Sequence, residues 1–266
     1  MKIQQTDTAL LHELERIAEV AGYLWERGWA ERNGGNISDD VTDLFTPVGN
    51  VQPFAEPVAL AVAVPYLEGR LFYVTGTGKR MRYVAKAPLD HGSIIRIGQG
   101  GKSYEVIAEQ PIQPTSEISS HLMMHNYLRS KGRDNKIVLH THPTDLIALT
   151  HCRALLDSEK ISRLLWSMIP ESRIVVPGGV GIVPYRLTGT TELAEETIKL
   201  LDKHDIVFWE KHGILAVGED IIECFDAIDT MSKSAQIYLN ARQFSFEPEG
   251  LTDDQLEEIR IAFKLP

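Results

Sequence analysis

Apolar residues recur along the chain at two spacings, and these predict its helices and strands. Near the start, Leu10, Leu14, Ile17 and Leu24 repeat every three or four positions, which predicts a helix over residues 8–28. The same spacing, together with capping signals, predicts the later helices. They cover 117–129, 143–150, 157–169, 189–204, 219–244 and part of 251–265.

Short apolar runs bounded by glycine, proline and asparagine predict strands. They cover 71–75, 93–98, 104–108, 135–140, 173–176, 180–185, 205–210 and 214–218, and we expect the second and third of these to form a hairpin. Residues 39–70 contain four prolines and predict irregular structure, apart from a short apolar run at 58–64. Because helices and strands interleave and tight turns join several strands, we predict one α/β/α domain over residues 1–266 with a mixed sheet.

Composition narrows the class of protein. The 266 residues are 43% hydrophobic and 24% charged, which is typical of a globular chain that buries a sizeable core. Two cysteines, Cys152 and Cys224, are too few for a disulfide framework and favour the reducing cytoplasm. The sequence contains neither a signal-peptide pattern nor an apolar run of about 20 residues. A net charge of −10 argues against nucleic-acid binding, which requires a basic face.

The pattern His-Thr-His at 140–142 follows an apolar strand and is the clearest candidate for metal chemistry. Side chains two positions apart on an extended chain point to the same side, so both imidazoles can bind one ion. His212, in a Lys-His-Gly turn between two strands, is the best candidate for a third ligand, and Gly213 would permit close approach. The alternative is that these histidines only hydrogen-bond the backbone at a strand end.

A polar helical face follows the segment Pro-Thr-Ser-Glu at 114–117. Thr115 or Ser116 would cap the helix, and Glu117 in its first turn is well placed to act as a general base beside a metal. His121 and His125 lie on the same face as Glu117. They could form a second metal-binding face, but we favour a packing role for both.

Three loops are rich in small residues and hydrogen-bond donors: NGGN at 33–36, TGTGK at 75–79 and PTSE at 114–117. TGTGK is not a P-loop, which needs four residues between its first glycine and the Gly-Lys pair. Each loop alone is ordinary turn chemistry. Together they could surround one phosphate, and Lys79 would either add charge there or lie in solvent.

Six sequence blocks occur in an order and spacing that resemble the zinc-dependent class II aldolase family. They are GWAERNGGN (28–36), VTGTGK (74–79), PTSE (114–117), HTHPTDLIALT (140–150), VVPGGVGIVPY (175–185) and KHG (211–213). The resemblance runs from about residue 15 to the last long helix and is weakest over 41–70 and at the C-terminal end. It implies a single three-layer α/β/α domain with a central mixed, mainly antiparallel sheet. It also implies a homotetramer whose active site lies near a subunit interface.

The resemblance further implies a role for each candidate residue. His140, His142 and His212 correspond to the ligands of one Zn²⁺ per subunit. Glu117 corresponds to the catalytic carboxylate, and Glu171 to a second acid that handles the aldehyde-side proton. The phosphate- and substrate-binding positions are Asn33, Asn36, Gly76, Thr77, Thr115 and Ser116, with threonine at 77 in place of a familiar serine.

Within the family, the chain looks like the members that reversibly cleave L-rhamnulose 1-phosphate to dihydroxyacetone phosphate and L-lactaldehyde. In the implied chemistry Zn²⁺ stabilises an enediolate and Glu117 acts as the base. Related activities are alternatives: cleavage of L-fuculose 1-phosphate, or 4-epimerisation of L-ribulose 5-phosphate. A zinc hydratase or hydrolase would also use three histidines. A non-catalytic metal-binding protein is the simplest alternative.

Overall fold

The fold is built around one mixed sheet. The computed structural model describes residues 8–44, 55–107, 110, 112–244 and 246–266. The strands in these ranges are β1 (Asn36–Asp40), β2 (Val58–Ala59), β3 (Leu71–Thr75), β4 (Gly92–Ile97), β5 (Ser103–Val106), β6 (Ile137–Thr141), β7 (Val180–Val183), β8 (Ile206–Trp209) and β9 (Gly213–Gly218). They lie in the order β2-β5-β4-β3-β1-β6-β9-β8-β7. In this described sheet, β7 and β8 pair in parallel and the other neighbouring pairs are antiparallel.

Helices cover both faces of the sheet. Those described are α1 (Thr8–Glu26), α2 (Met81–Val84), α3 (Ile118–Ser130), α4 (Thr144–Leu149), α5 (Ser158–Met168), α6 (Pro170–Val175), α7 (Thr191–Leu200), α8 (Ile221–Arg242) and α9 (Asp253–Ala262). Helices α3 and α7 pack together against one face, and α8 contacts α1, α4 and α5 on the other. The predicted three-layer α/β/α arrangement with a mainly antiparallel sheet is therefore confirmed.

Side-chain alternation along the strands divides the core between the two faces. Val138 and Val207 pack in the cluster that includes Met124 of α3 and Leu193 of α7. Their neighbours Ile137 and Leu139 on β6, and Ile206 and Phe208 on β8, pack in the larger cluster with α1, α5 and α8. Successive strand residues point to opposite faces, so a central strand needs apolar residues at nearly every position.

Most predicted elements are confirmed within a few residues, including the hairpin of β4 and β5. Its predicted last residue, Ala108, lies outside the described residues, as do residues 45–54 of the segment predicted to be irregular. The apolar run at 58–64 yields only the two-residue strand β2. Cys152 and Cys224 are both free thiols. In the described part of the chain, every helix is too short or too polar to cross a bilayer.

Two predictions of local structure are wrong. The β-branched run at 173–176 forms the end of helix α6, because Pro170 begins a helical turn there and Ser172 Oγ donates to the carbonyls of Leu165 and Ile169. The helix predicted from residue 117 begins at Ile118, with Glu117 itself at the N-cap position rather than Thr115 or Ser116.

The central strand β1 is absent from the sequence-based prediction because its sequence, NISDD, is mostly polar. All five residues are nevertheless buried. Polar side chains at such positions are tolerated when they are hydrogen-bonded. Asp40 is bonded by Arg70 Nε at 2.5 Å and by the hydroxyl of Thr42.

Asp39 on β1 is compensated only in part, by a hydrogen bond with Glu13, and generates a prediction about stability. It is 2% exposed, and its Oδ2 has no hydrogen-bond partner. Burial, and then the charge of the neighbouring Glu13, raise the pKa of Asp39 well above its usual value. A folded-state pKa above the unfolded one means that Asp39 costs stability as pH rises through the folded value. We expect Asp39→Asn to raise the free energy of unfolding by about 1–2 kcal/mol at pH 7.5, measured by urea denaturation.

The matched control is Asp40→Asn on the same strand. It removes a carboxylate that is ion-paired with Arg70, so it should destabilise the protein at pH 7.5. The gain from Asp39→Asn should also shrink as pH falls below about 4, the usual pKa of an unfolded aspartate, because the wild-type carboxyl then becomes protonated in both states. Destabilisation by Asp39→Asn at pH 7.5 would show that Asp39 is ionised and paired in the folded protein.

Candidate active site

The histidines predicted to bind metal meet where strand ends converge. Antiparallel pairing sets Asn36, the first residue of β1, opposite His140 near the end of β6. The end of β6 also pairs with the start of β9, with Thr141 opposite Ile214. His212 lies in the turn just before β9 and is therefore carried to the same edge of the sheet.

The three imidazoles form one compact cluster. Ring centroids of His140 lie 5.0 Å from His142 and 4.8 Å from His212, and those of His142 and His212 are 5.5 Å apart. Each residue offers one nitrogen, and these atoms all lie within 4.8 Å of one another. His140 is buried, whereas the other two are partly exposed towards the cleft.

Hydrogen bonds fix which nitrogens carry protons. The Nδ1 of His140 donates to the carbonyl of Ile214 at 3.0 Å, and the Nδ1 of His142 donates to the Glu31 carboxylate at 2.8 Å. Burial lowers the pKa of His140 well below its usual value and that of His212 to about 4, so neutral rings are favoured. A neutral imidazole with a proton on Nδ1 has a bare lone pair on Nε2.

The positions of these lone pairs fit a divalent metal. The Nε2 atoms of His140 and His142 face each other at 3.2 Å, and in neutral rings protonated on Nδ1 neither has a proton to share. Two ligands at about 2.1 Å from a tetrahedral ion would be separated by a similar distance. The Nδ1 of His212 is buried and has no hydrogen-bond partner. Two facing lone pairs with a third imidazole beside them are what a metal ion would satisfy.

Close packing keeps the rings in this arrangement. The His140 ring packs on Trp209 with centroids 4.6 Å apart, and the backbone N–H of His142 donates to the carbonyl of Trp29 at 2.9 Å. A Cβ atom on Gly213 would lie 2.6 Å from Cε1 of His140. The prediction that Gly213 permits close approach is therefore confirmed.

Glu117 lies just before helix α3, next to the strand end that carries Asn36. Its side chain makes no capping bond, and the hydroxyl of Thr115 accepts its backbone N–H at 3.3 Å. The Nδ2 of Asn36 donates to Oε2 of Glu117 at 2.7 Å. The carboxylate is thus oriented by one amide and lines the same cleft as the histidines.

The donor-rich loops are tied to one another by main-chain hydrogen bonds. The N–H of Thr115 donates to the carbonyl of Thr75 at 2.8 Å, and that of Thr77 donates to the carbonyl of Gln113 at 2.9 Å. Gly76 and Pro114 form a β-bridge. These bonds place the TGTGK and PTSE loops side by side, as a shared phosphate site requires.

A cleft of about 360 Å³ brings nearly all the predicted residues together. Its lining includes the three histidines, Glu117, Asn33, Asn36, Gly76, Thr77, Thr115 and Ser116. Lys79 also lines it, so of the two alternatives for this lysine the structure favours a role in the cleft. Glu171 is exposed in the first turn of α6 and does not belong to this lining.

Sequence analysis missed three polar residues of the cleft: Glu31, Arg32 and Thr188. Glu31 bonds His142, and a carboxylate bonded to a ligand imidazole in this way is common in metal sites. Arg32 adopts a positive φ of 50°, which is uncommon outside glycine. Glu31 and Arg32 precede NGGN directly and lie inside the GWAERNGGN block, and that position was the signal that could have identified them.

Comparison with known proteins decides the family. The family model described as Class II Aldolase and Adducin N-terminal domain matches residues 15–239. This chain belongs to the class II aldolase family. It is 48% identical to a rhamnulose-1-phosphate aldolase of Bacteroides thetaiotaomicron over 265 residues, which cover 99% of this chain and 98% of that protein.

Solved structures support the class II aldolase fold. A sugar-phosphate aldolase from Thermotoga maritima superimposes with a TM-score of 0.77 at 27% identity, covering 91% of this chain and 99% of that one. An L-fuculose 1-phosphate aldolase gives a TM-score of 0.62 at 21% identity, covering 96% of this chain and 97% of that one. At that identity the second similarity shows the fold alone. Class II aldolases are generally metal-dependent, in agreement with the histidine cluster.

The packing around Gly213 predicts that this class II aldolase will not tolerate a methyl group there. The added Cβ would lie 2.6 Å from His140 Cε1, 2.7 Å from the Thr141 carbonyl and 2.8 Å from His142 Cδ2. We expect Gly213→Ala to displace the rings and weaken binding of a divalent metal, with Zn²⁺ as the probe ion, at least about tenfold, a typical cost of disturbing the support of a metal ligand. Competition with a chromophoric chelator would measure the change.

Gly22→Ala in α1 is the control substitution. Its added Cβ would make ordinary van der Waals contact, 3.8 Å from Cβ of Ala85, and should leave Zn²⁺ affinity unchanged. Wild-type Zn²⁺ affinity in Gly213→Ala would mean that the cluster does not depend on this contact.

Proposed function

We propose that this chain is a metal-dependent aldehyde-lyase that reversibly cleaves L-rhamnulose 1-phosphate to dihydroxyacetone phosphate and L-lactaldehyde. The observation that carries the proposal is one cleft that combines three metal-ligating imidazoles, an oriented carboxylate and paired donor-rich loops. The substrate is inferred from the Bacteroides relative, whose similarity extends over almost the whole of both chains. A role in rhamnose degradation follows from that substrate.

We propose that His140, His142 and His212 hold one Zn²⁺ per subunit. Three neutral imidazoles suit this ion and leave a coordination position open. When bound, the metal supplies Lewis-acid stabilisation of the negative charge that develops on the substrate as the C3–C4 bond breaks. Glu31 would keep the His142 ring oriented by accepting its Nδ1 proton.

Glu117 would act as the base of the reaction. In the synthetic direction it removes a proton from dihydroxyacetone phosphate, and in the cleavage direction it returns a proton to the same carbon. Asn36 occupies only Oε2 of Glu117, so Oε1 remains available to the reacting carbon. The carboxylate is therefore held by one oxygen while the other transfers the proton.

The loops would bind the phosphate chiefly through neutral donors. Backbone N–H groups and the hydroxyls of Thr77, Thr115 and Ser116 line the cleft, with Asn33 and Gly76 beside them. Such groups bind phosphate without requiring a basic surface. A protein with a net charge of −10 can therefore bind an anionic substrate at this site. Lys79 adds a local positive charge.

We further propose that residues 1–266 form one domain and that four copies assemble in the cytoplasm as a homotetramer. The nine-stranded sheet that spans the described sequence supports a single domain. Glu171 supports the assembly, because it is exposed and outside the cleft of its own chain. It would handle the aldehyde-side proton in the cleft of a neighbouring subunit.

Metal removal and a substrate panel test the proposed reaction. We expect EDTA to abolish release of dihydroxyacetone phosphate from L-rhamnulose 1-phosphate and added Zn²⁺ to restore it. The reason is that the metal stabilises the negative charge that develops on the substrate as the C3–C4 bond breaks. A coupled assay for dihydroxyacetone phosphate gives the rate. L-Fuculose 1-phosphate is compared in the same assay, and L-ribulose 5-phosphate is followed by formation of its 4-epimer, because epimerisation releases no dihydroxyacetone phosphate. Faster turnover of either by the metal-loaded protein would disprove the substrate assignment.

Complementation between two inactive variants tests Glu117, Glu171 and the assembly together. Glu117→Ala should retain Zn²⁺ and lose activity about 100-fold or more, as expected for the loss of a general base. Glu171→Ala should also lose activity. If Glu171 acts across an interface, mixed tetramers of the two variants would rebuild about one quarter of the sites. Recovered activity of the co-expressed variants measures this.

The controls separate assembly from chemistry. Light scattering should give four times the chain mass of 29.8 kDa for each variant and for the mixture. Exposed Glu15→Ala should keep full activity. Tetramers that contain both variants and show no recovery would place Glu171 outside the neighbour's cleft, and loss of Zn²⁺ from Glu117→Ala would make Glu117 a ligand.

A further inference from the structure

Behind Glu117, a row of four buried polar side chains extends into the core. From the cleft inward the row contains Asn36, His121, Ser38 and His125, each hydrogen-bonded to the next. Ser38 and His121 are fully buried, and the other two nearly so. Polar groups in such a position cost stability unless their bonds are well made. The proposed reaction uses Asn36 directly but assigns nothing to the three residues behind it.

The direction of the hydrogen bonds follows from Glu117. An ionised carboxylate can only accept, so Asn36 must present its Nδ2–H to Oε2 of Glu117. The carbonyl oxygen Oδ1 of Asn36 then faces Nε2 of His121. An oxygen can only accept there, so Nε2 of His121 must carry a proton.

The inner half of the row has the same direction. Burial lowers the pKa of His121 and of His125 to about 3, so both rings are neutral. With its proton on Nε2, His121 has a bare Nδ1 that accepts from the Ser38 hydroxyl at 2.7 Å. Ser38 Oγ has then given its only proton, and it accepts from Nε2–H of His125 at 2.8 Å.

Because every hydrogen bond in the row has a fixed donor and acceptor, the side-chain amide of Asn36 cannot flip. Rotation by half a turn would set Oδ1 against the Glu117 carboxylate and Nδ2–H against Nε2–H of His121. Both contacts would change from attractive to repulsive at once. The amide is therefore held by His121, and His121 is held in its Nε2–H form by Ser38.

We propose that His121 is a positioning residue for the base: through Asn36 it fixes Oε2 of Glu117 and so aims Oε1 at the reacting carbon. This inference rests on the proposed aldolase function and deepens it. Among the described residues, Asn36 makes the only hydrogen bond to the side chain of Glu117, because the Thr115 hydroxyl bonds its backbone N–H. Orientation of the carboxylate therefore depends on whatever orients Asn36.

Two substitutions of His121 separate positioning from packing. A glutamine side chain places its amide nitrogen near the site of Nε2, so His121→Gln can still donate to Asn36. An asparagine side chain reaches only to the site of Nδ1, so His121→Asn can contact Ser38 but not Asn36. We expect His121→Asn to lower kcat about 10- to 100-fold, as misplaced catalytic groups do, and His121→Gln to lower it less than about threefold. KM and bound Zn²⁺ should change little in either.

Stability must be controlled, because both variants leave space in the core. Ser162→Ala removes an equally buried hydroxyl of α5 that accepts from the N–H of Val180 at 2.8 Å, far along the chain from the row. Its kcat should match the wild type at a comparable loss of thermal stability. The proposal would be overturned if His121→Gln and His121→Asn lost kcat to the same extent. It would also be overturned if the loss of kcat in each variant simply followed its loss of melting temperature.

A spectroscopic measurement on the wild-type holoenzyme does not depend on substrate or on the folding of any variant. In protein labelled with ¹⁵N-histidine, the His121 ring should show a protonated Nε2 and a bare Nδ1 at pH 7. A protonated Nδ1 would overturn the inference. If the wild type fails to cleave L-rhamnulose 1-phosphate, the proposed function fails, and the tautomer still decides whether the row holds Asn36 as described.

Discussion

Two lone pairs that face each other at 3.2 Å, on Nε2 of His140 and of His142, impose the constraint on which the cleft depends. Such atoms repel until a cation lies between them, so the rings cannot hold each other in place. Fixed acceptors behind them do so: the Ile214 carbonyl for His140 and the Glu31 carboxylate for His142. The histidine cluster is thus organised by the groups that take the Nδ1 protons.

The sheet supplies the rest of this organisation. Because β6 lies between β1 and β9 with antiparallel neighbours on both sides, its carboxyl end meets the start of each. That register places Asn36 and the turn of His212 beside His140, although the three residues are far apart in the sequence. Such close approach leaves no room for a side chain at Gly213, and Gly34 likewise lies where a Cβ would come within 2.9 Å of the His142 ring.

Features that depend on local sequence were predictable. An His-Thr-His pattern after an apolar strand predicted two ligands on one side of the chain, and the structure places them there. The loops were recognised from their small residues, and their pairing through Gly76 and Pro114 brings them together. Glu31 was not singled out because the contact that gives it a role is with His142, 111 positions away. Nothing in the sequence around Glu171 indicates which chain's cleft it would serve.

The errors in secondary structure have a common physical origin. The β-branched run at 173–176 looks like a buried strand, yet Val175 is 44% exposed and the segment takes its conformation from Pro170 and Ser172. Strand β1 presents the opposite case, since its polar sequence looks like a loop but is buried throughout. Hydropathy measures what a residue prefers by itself and omits the hydrogen bonds that the fold supplies.

In β1, the hydrogen bonds that hydropathy omits are made by the residues that support the cleft. An apolar residue in place of Ser38 would suit the core better by hydropathy, but it could not join His121 to His125. Asn36 at the start of the strand bonds both Glu117 and His121, so one amide connects the cleft to the interior. Buried polar residues on a central strand sacrifice stability and gain a fixed orientation for the groups they contact. The polar residues of β1 hide this strand from pattern analysis, and the same residues orient the Glu117 carboxylate.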